Sequence, residues 1–187
     1  MRYLATIAVL TIAGGSWAQD VAPPPKPSDS PSLEVTMKFI EDKVTDENNH
    51  KYTSFVSDPS QGGTEWNNQF SIEITNFVAD PKACRISFHW RSEINGGIAD
   101  DSEYSLTLKD VRDIVVMPQE ANQQQIDARN GHPGWTSRIQ PNLFTLVARR
   151  PKGLENAFLF SSEELAGRVA KAMIHAVELC GGEKEPF

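Results

Sequence analysis

The chain has 187 residues, 39% of them hydrophobic, and a formal net charge of −7 at neutral pH. That length suits one domain with a tail. The acidic balance works against nucleic acid and anionic lipid headgroups, which are bound through clustered Lys and Arg. No apolar run reaches the roughly 18 residues of a membrane span, so none is expected.

Residues 1–18 read as a cleavable secretory signal peptide. Arg2 supplies the positive start, Tyr3 to Ala13 form a short apolar stretch, and Ser16 and Ala18 sit at −3 and −1 of a cut after Ala18. The alternative is a buried N-terminal helix, but the polar, proline-rich stretch that follows offers it nothing to pack on. No Cys follows the apolar stretch, so a lipid anchor of the bacterial type is not expected. The mature chain, about 169 residues with a charge near −8, is expected to be exported, either periplasmic or extracellular. Residues 19–31 (QDVAPPPKPSDSP) read as a linker of polyproline II character.

A helix is expected over 32–44. Ser32 is a good N-cap, and Leu33, Met37, Ile40 and Val44 share one face. Period-two patterning then predicts seven strands, at about 51–57, 69–78, 84–92, 102–108, 112–117, 142–149 and 156–160. Phe70, Ile72 and Ile74 alternate with polar residues, as do Ile86, Phe88 and Trp90, the mark of antiparallel strands with one buried face. Turn chemistry separates them at Gly62-Gly63, Asp80-Pro81, Asn95-Gly96-Gly97 and Pro151-Lys152-Gly153. The last element is a helix over 161–180. Ser161 and Glu164 form a capping box, Leu165, Val169, Met173, Ala176 and Cys180 make the buried stripe, and Gly181-Gly182 ends it.

The fold class is therefore α+β: a seven-stranded antiparallel, strongly bent sheet or partly open barrel, capped by the C-terminal helix and preceded by an extra N-terminal helix. This order resembles the pleckstrin-homology-like fold over about residues 50–181. The ending NAFLFSSEELAGRVAKAMIHAVELCGG resembles the strand–helix end of uncharacterised exported bacterial proteins. The resemblance implies a domain that binds peptides, proteins or, in some members, phosphoinositides. Phosphoinositide binders place basic residues around the first strand–loop–second strand. Here that loop is SDPSQGGTEWNN, without Lys or Arg, which argues against such a ligand.

Cys84 and Cys180 are the two cysteines; in an exported domain they point to a disulfide, with two buried thiols as the alternative. The four histidines are scattered, and no zinc motif, nucleophile elbow, P-loop or dinucleotide fingerprint occurs. No catalytic, metal or cofactor residue is assigned, and no cofactor is expected. Two surfaces remain for a protein or peptide partner. One is the outward face of the third strand, Arg85, His89 and Arg91, weighed against cross-strand pairing with Glu73. The other is the long connection 118–141, with Arg129, His132, Trp135 and Arg138. It reads either as a contact surface around Trp135 or as a disordered or folded-back segment, with a short helix at 119–128 in reach. The leading expectation is a non-enzymatic binding module of the cell envelope. The alternatives are an envelope hydrolase or enzyme accessory that joins His132 with a carboxylate, and a purely structural protein.

Overall fold

A computed structural model of the chain describes residues 30–182. The signal-peptide reading and nearly all of the proline-rich linker lie outside the described residues. The elements are α1 (Leu33–Asp46), β1 (Asn49–Asp58), β2 (Thr64–Asp80), β3 (Arg85–Ile94), β4 (Gly97–Thr107), β5 (Asp113–Pro118), α2 (Gln119–Arg129), β6 (Thr136–Gln140), β7 (Phe144–Arg149), β8 (Glu155–Phe160) and α3 (Glu163–Leu179). Among the described residues eight strands thus form two antiparallel sheets, ordered β4-β3-β2-β1-β6 and β5-β7-β8, in place of the expected seven strands in one bent sheet. Neither sheet closes into a barrel.

The additional strand comes from the connection 118–141, which is a folded segment. Helix α2 buries Gln119, Asn122 and Asp127, so no apolar stripe announces it. Its polar groups are paired instead. The Gln119 side chain donates to the Tyr52 hydroxyl at 3.3 Å and accepts from Thr145, and Glu120 accepts from the Ile139 amide at 2.9 Å. Burial pushes the Tyr52 phenol up to about 12. Ile139 buries one face of β6, and β6 pairs with β1 over Thr53–Ser57.

The helices follow their stripes. Met37, Ile40 and Val44 of α1 and Val169, Met173 and Ala176 of α3 are buried in one core with Ile74, Phe77, Ile86, Phe88, Leu106, Leu146, Phe158 and Phe160. Ser32 caps α1, accepting from the Val35 amide. At α3 the cap is one residue later than expected. Ser162 accepts from the Leu165 amide at 3.2 Å, while Ser161 donates its amide and hydroxyl to the Glu47 carboxylate at 2.9 and 2.7 Å. The capping box is therefore replaced by a tie between the end of α1 and the start of α3. Gly181 (φ 77°) closes α3, with its amide on the Glu178 carbonyl and that of Gly182 on Val177, a Schellman ending.

Strand β2 carries a bulge. Its register with β3 jumps between Thr75 and Val78, where Asn76 takes a left-handed φ of 51°. The extra residue turns Phe77 inward, 9% exposed, and Val78 outward, 50% exposed. Unbroken alternation from Ile72 and Ile74 would reverse them. Strand β4 begins at Gly97 rather than 102, because Asn95 (φ 52°) and Gly96 (φ 81°) form a tight hairpin turn that lets pairing start at once.

Cys84 and Cys180 are bonded, with Cα atoms 5.8 Å apart across 96 residues of sequence. Cys84 stands in the turn before β3, at φ 48°, and Cys180 caps α3, so the bridge fastens the closing helix to the larger sheet. Replacing both cysteines by Ser should lower the unfolding free energy in urea by about 2–4 kcal/mol. An unchanged free energy would show that the staple adds nothing to the packing of α3.

Candidate functional site

The outward face of β3 is the first of the two expected surfaces. His89 gives Nε2 to Asp101 at 2.7 Å, and its Nδ1 lies 3.3 Å from the Thr75 hydroxyl. A proton on Nε2, held by the carboxylate, leaves Nδ1 to accept from Thr75. Arg91 stands opposite Glu73 in register, yet its guanidinium binds Glu93 at 2.8 Å and Asp101 at 3.3 Å. Arg85 is exposed and pairs through its backbone with Asp80. Two of these three residues, His89 and Arg91, are thus engaged by carboxylates of their own sheet. The Thr75–His89–Asp101 chain has the order of a proton relay, nucleophile to base to carboxylate. Acyl transfer also needs donors aimed at an oxyanion and a site that holds substrate against them. The depression on this face, lined by Val78, Arg85, Ser87 and Glu103, does not include Thr75.

The second surface is brought together around Trp135, by contacts within the chain. His132 stacks on Trp135 with ring centroids 3.9 Å apart, and Trp135 meets Trp66 of β2 edge-on at 4.9 Å. The buried Asp58 carboxylate accepts from the Ser60 amide at 2.8 Å and the Ser60 hydroxyl at 2.6 Å. Those bonds, with one from the Trp135 indole and the charge of nearby His132, hold its carboxyl below the ordinary range. Arg138 lies over the Phe55 ring at 4.1 Å, and Arg129 binds Glu155 at 2.9 Å. All four residues therefore have partners inside the domain. The remaining histidines are also engaged: His50 on the Leu159 carbonyl at 3.1 Å, His175 on that of Pro31 at 2.9 Å.

A third place was not singled out from the sequence. Strands β4 and β8 are the outermost strands of their sheets, and between them lies a cleft of about 190 Å³. It is lined by Phe88 and Trp90 of β3, Asp100 and Tyr104 of β4, and Glu155, Asn156 and Ala157 of β8. The inward face of β4 runs Leu106, Tyr104, Ser102, Asp100, so an apolar floor becomes polar toward the Gly97 end. Asp100 accepts from the Tyr104 hydroxyl at 2.6 Å and from the Ser102 hydroxyl at 2.7 Å. Those two bonds, Tyr104 first, hold its carboxyl below the usual carboxylate range, so it is ionised at neutral pH. Glu155 is bound by Arg149 at 3.2 Å and by Arg129.

Asn156 is the exceptional member. It is 5% exposed, and its side-chain oxygen has no hydrogen-bond partner among the described residues. Ser54 and Arg150 also carry buried unpartnered atoms, but neither residue lines the cleft. An acceptor left so costs about 1–3 kcal/mol, which a bound donor would recover. The sequence signal for this site was the period-two set Asp100, Ser102, Tyr104, from which the strand expected at 102–108 leaves out Asp100.

Among the described residues no group of three or more His, Cys, Asp or Glu is placed to hold a metal ion, and no helix is long and apolar enough to cross a membrane. A fluorophosphonate probe is expected to leave Thr75 unmodified, as judged by peptide mapping of the folded protein. An adduct on Thr75 that disappears in His89→Ala would instead place hydrolytic chemistry on the outer face. No family model, curated protein or solved structure matches this chain.

Proposed function

We propose that this protein is an exported, non-enzymatic binding module of the cell envelope, and that it takes its partner in the cleft between β4 and β8. The observation that carries the reading is the Asn156 oxygen, buried at the cleft without a partner. Polar groups buried in native domains are paired nearly throughout, so an orphan at the wall of an aromatic cleft is best accounted for by a ligand. The Trp135 surface ranks second because its aromatic rings and charges already satisfy one another. Export is supported by the signal-like start of the sequence and by the Cys84–Cys180 bridge, a bond typical of oxidising compartments. The pleckstrin-homology-like assignment belongs to the same proposal; two antiparallel sheets with a closing C-terminal helix suit it.

Fragment screening by two-dimensional NMR tests the location. With a panel spanning ammonium, carboxylate, sugar and neutral aromatic fragments, at least one should shift the Trp90 indole and the Asn156 side-chain amide together. Shifts centred on 129–138 would move the site to the Trp135 cluster. A panel that perturbs neither region would remove the binding reading.

A further inference from the structure

The lining of the cleft also narrows the chemistry of what it holds, a step that rests on the cleft being the binding site. The polar side chains that line the cleft offer acceptors at Asp100, Tyr104 and Asn156. Asp100 is ionised, and two of its roughly four acceptor positions are taken by Ser102 and Tyr104. Both hydroxyl protons are spent on that carboxylate, so the hydroxyl oxygens have only lone pairs left to offer. The side-chain oxygen of Asn156 is buried without a partner among the described residues. Glu155 is balanced by Arg149 and Arg129, which leaves Asp100 as the cleft carboxylate without an ion pair among the described residues.

The remaining walls are aromatic. Phe88 and Tyr104 lie nearly parallel with centroids 5.8 Å apart, and Trp90 stands one inward position further along β3. Aromatic faces attract cations, more strongly where water is displaced. The volume of about 190 Å³ is below the range of drug-sized pockets and suits one side chain rather than a whole cofactor. A carboxylate or phosphate would meet Asp100 with like charge, and a purely apolar group would leave the Asn156 oxygen unpaired.

We infer that the cleft binds the cationic end of its partner, an alkylammonium or alkylguanidinium group such as a lysine or arginine side chain carries. The ammonium or guanidinium hydrogens meet Asp100 and Asn156, and the alkyl stem lies between the rings of Trp90, Phe88 and Tyr104. The two carboxylate-bound hydroxyls keep Asp100 fixed in the geometry that receives the charge.

The test uses four probes of one length on the mature protein: n-butylammonium, n-butylguanidinium, n-butanol and butyrate, each followed through the Trp90 indole resonance. The cations should bind at least tenfold more tightly than butanol, butyrate should not compete, and added salt should weaken only the cations. Asp100→Asn should cost the cations tenfold or more while leaving butanol unchanged, and Asn156→Leu should weaken all three binders. Butanol binding as tightly as butylammonium, or Asp100→Asn without effect in a protein whose other resonances are unmoved, would overturn the cation assignment and leave the cleft as a site for another class. Preference for butyrate would overturn it as well. Were all four probes to leave Trp90 and Asn156 unmoved, the cleft itself would fall with the cation.

Discussion

The packing of Phe158 against Phe77 and Phe88 is the contact on which the arrangement of the two sheets depends. Phe158 belongs to β8, the last strand of the smaller sheet, and meets Phe88 of β3 at 5.2 Å and Phe77 of β2 at 6.0 Å, both edge to face. Such geometry aligns ring edges with ring faces and adds to the area the rings remove from water. Phe77 can take part only because the bulge at Asn76 turns it inward. Helices α1 and α3 complete the same core, and the disulfide ties the end of α3 to the start of β3. The sheets are thus joined by side chains and helices, with no ladder of backbone bonds between β4 and β8.

That absence has a functional side. A barrel closed by hydrogen bonds would fill the seam with paired backbone. Here the apolar contact ends at Phe88 and Phe158, and beyond it the facing residues become Trp90, Tyr104, Asp100 and Asn156. The contrast with the Trp135 cluster is one of satisfaction. Around Trp135, ring meets ring and carboxylate meets donor, so the groups spend their capacity on holding residues 130–135 against β1 and β2. In the seam the same kinds of residue are present, and one buried oxygen is left over.

The legible parts of the sequence were those governed by apolar periodicity. The stripes of α1 and α3 and most strands follow from burial, and the pairing of Cys84 with Cys180 is reached through the expectation of export. The rest obeys other rules. Helix α2, within reach at 119–128 from its polar composition alone, is held by Gln119, Glu120 and Asp127, which reach Tyr52, Thr145, Ile139 and Ser137 outside the helix. Its buried face is polar, so apolar spacing does not mark it. The cap of α3 slipped from Ser161 to Ser162 because Glu47, over a hundred residues earlier, claims Ser161. The polar end of β4 falls outside the strand expected at 102–108, because it follows directly on the Asn95-Gly96-Gly97 turn. Its role became visible only once β8, an element of the other sheet, lay opposite.

Binding in the cleft requires an open seam between β4 and β8, and native-state hydrogen exchange resolved by residue reads that seam directly. Along an edge strand every second amide turns away from its one partner. In β4 and β8 that outward set should exchange far faster than the alternate amides bonded to β3 and β7. Equal protection of both sets along β8 would mean that the seam is closed by backbone pairing, and that no cleft exists there to bind anything.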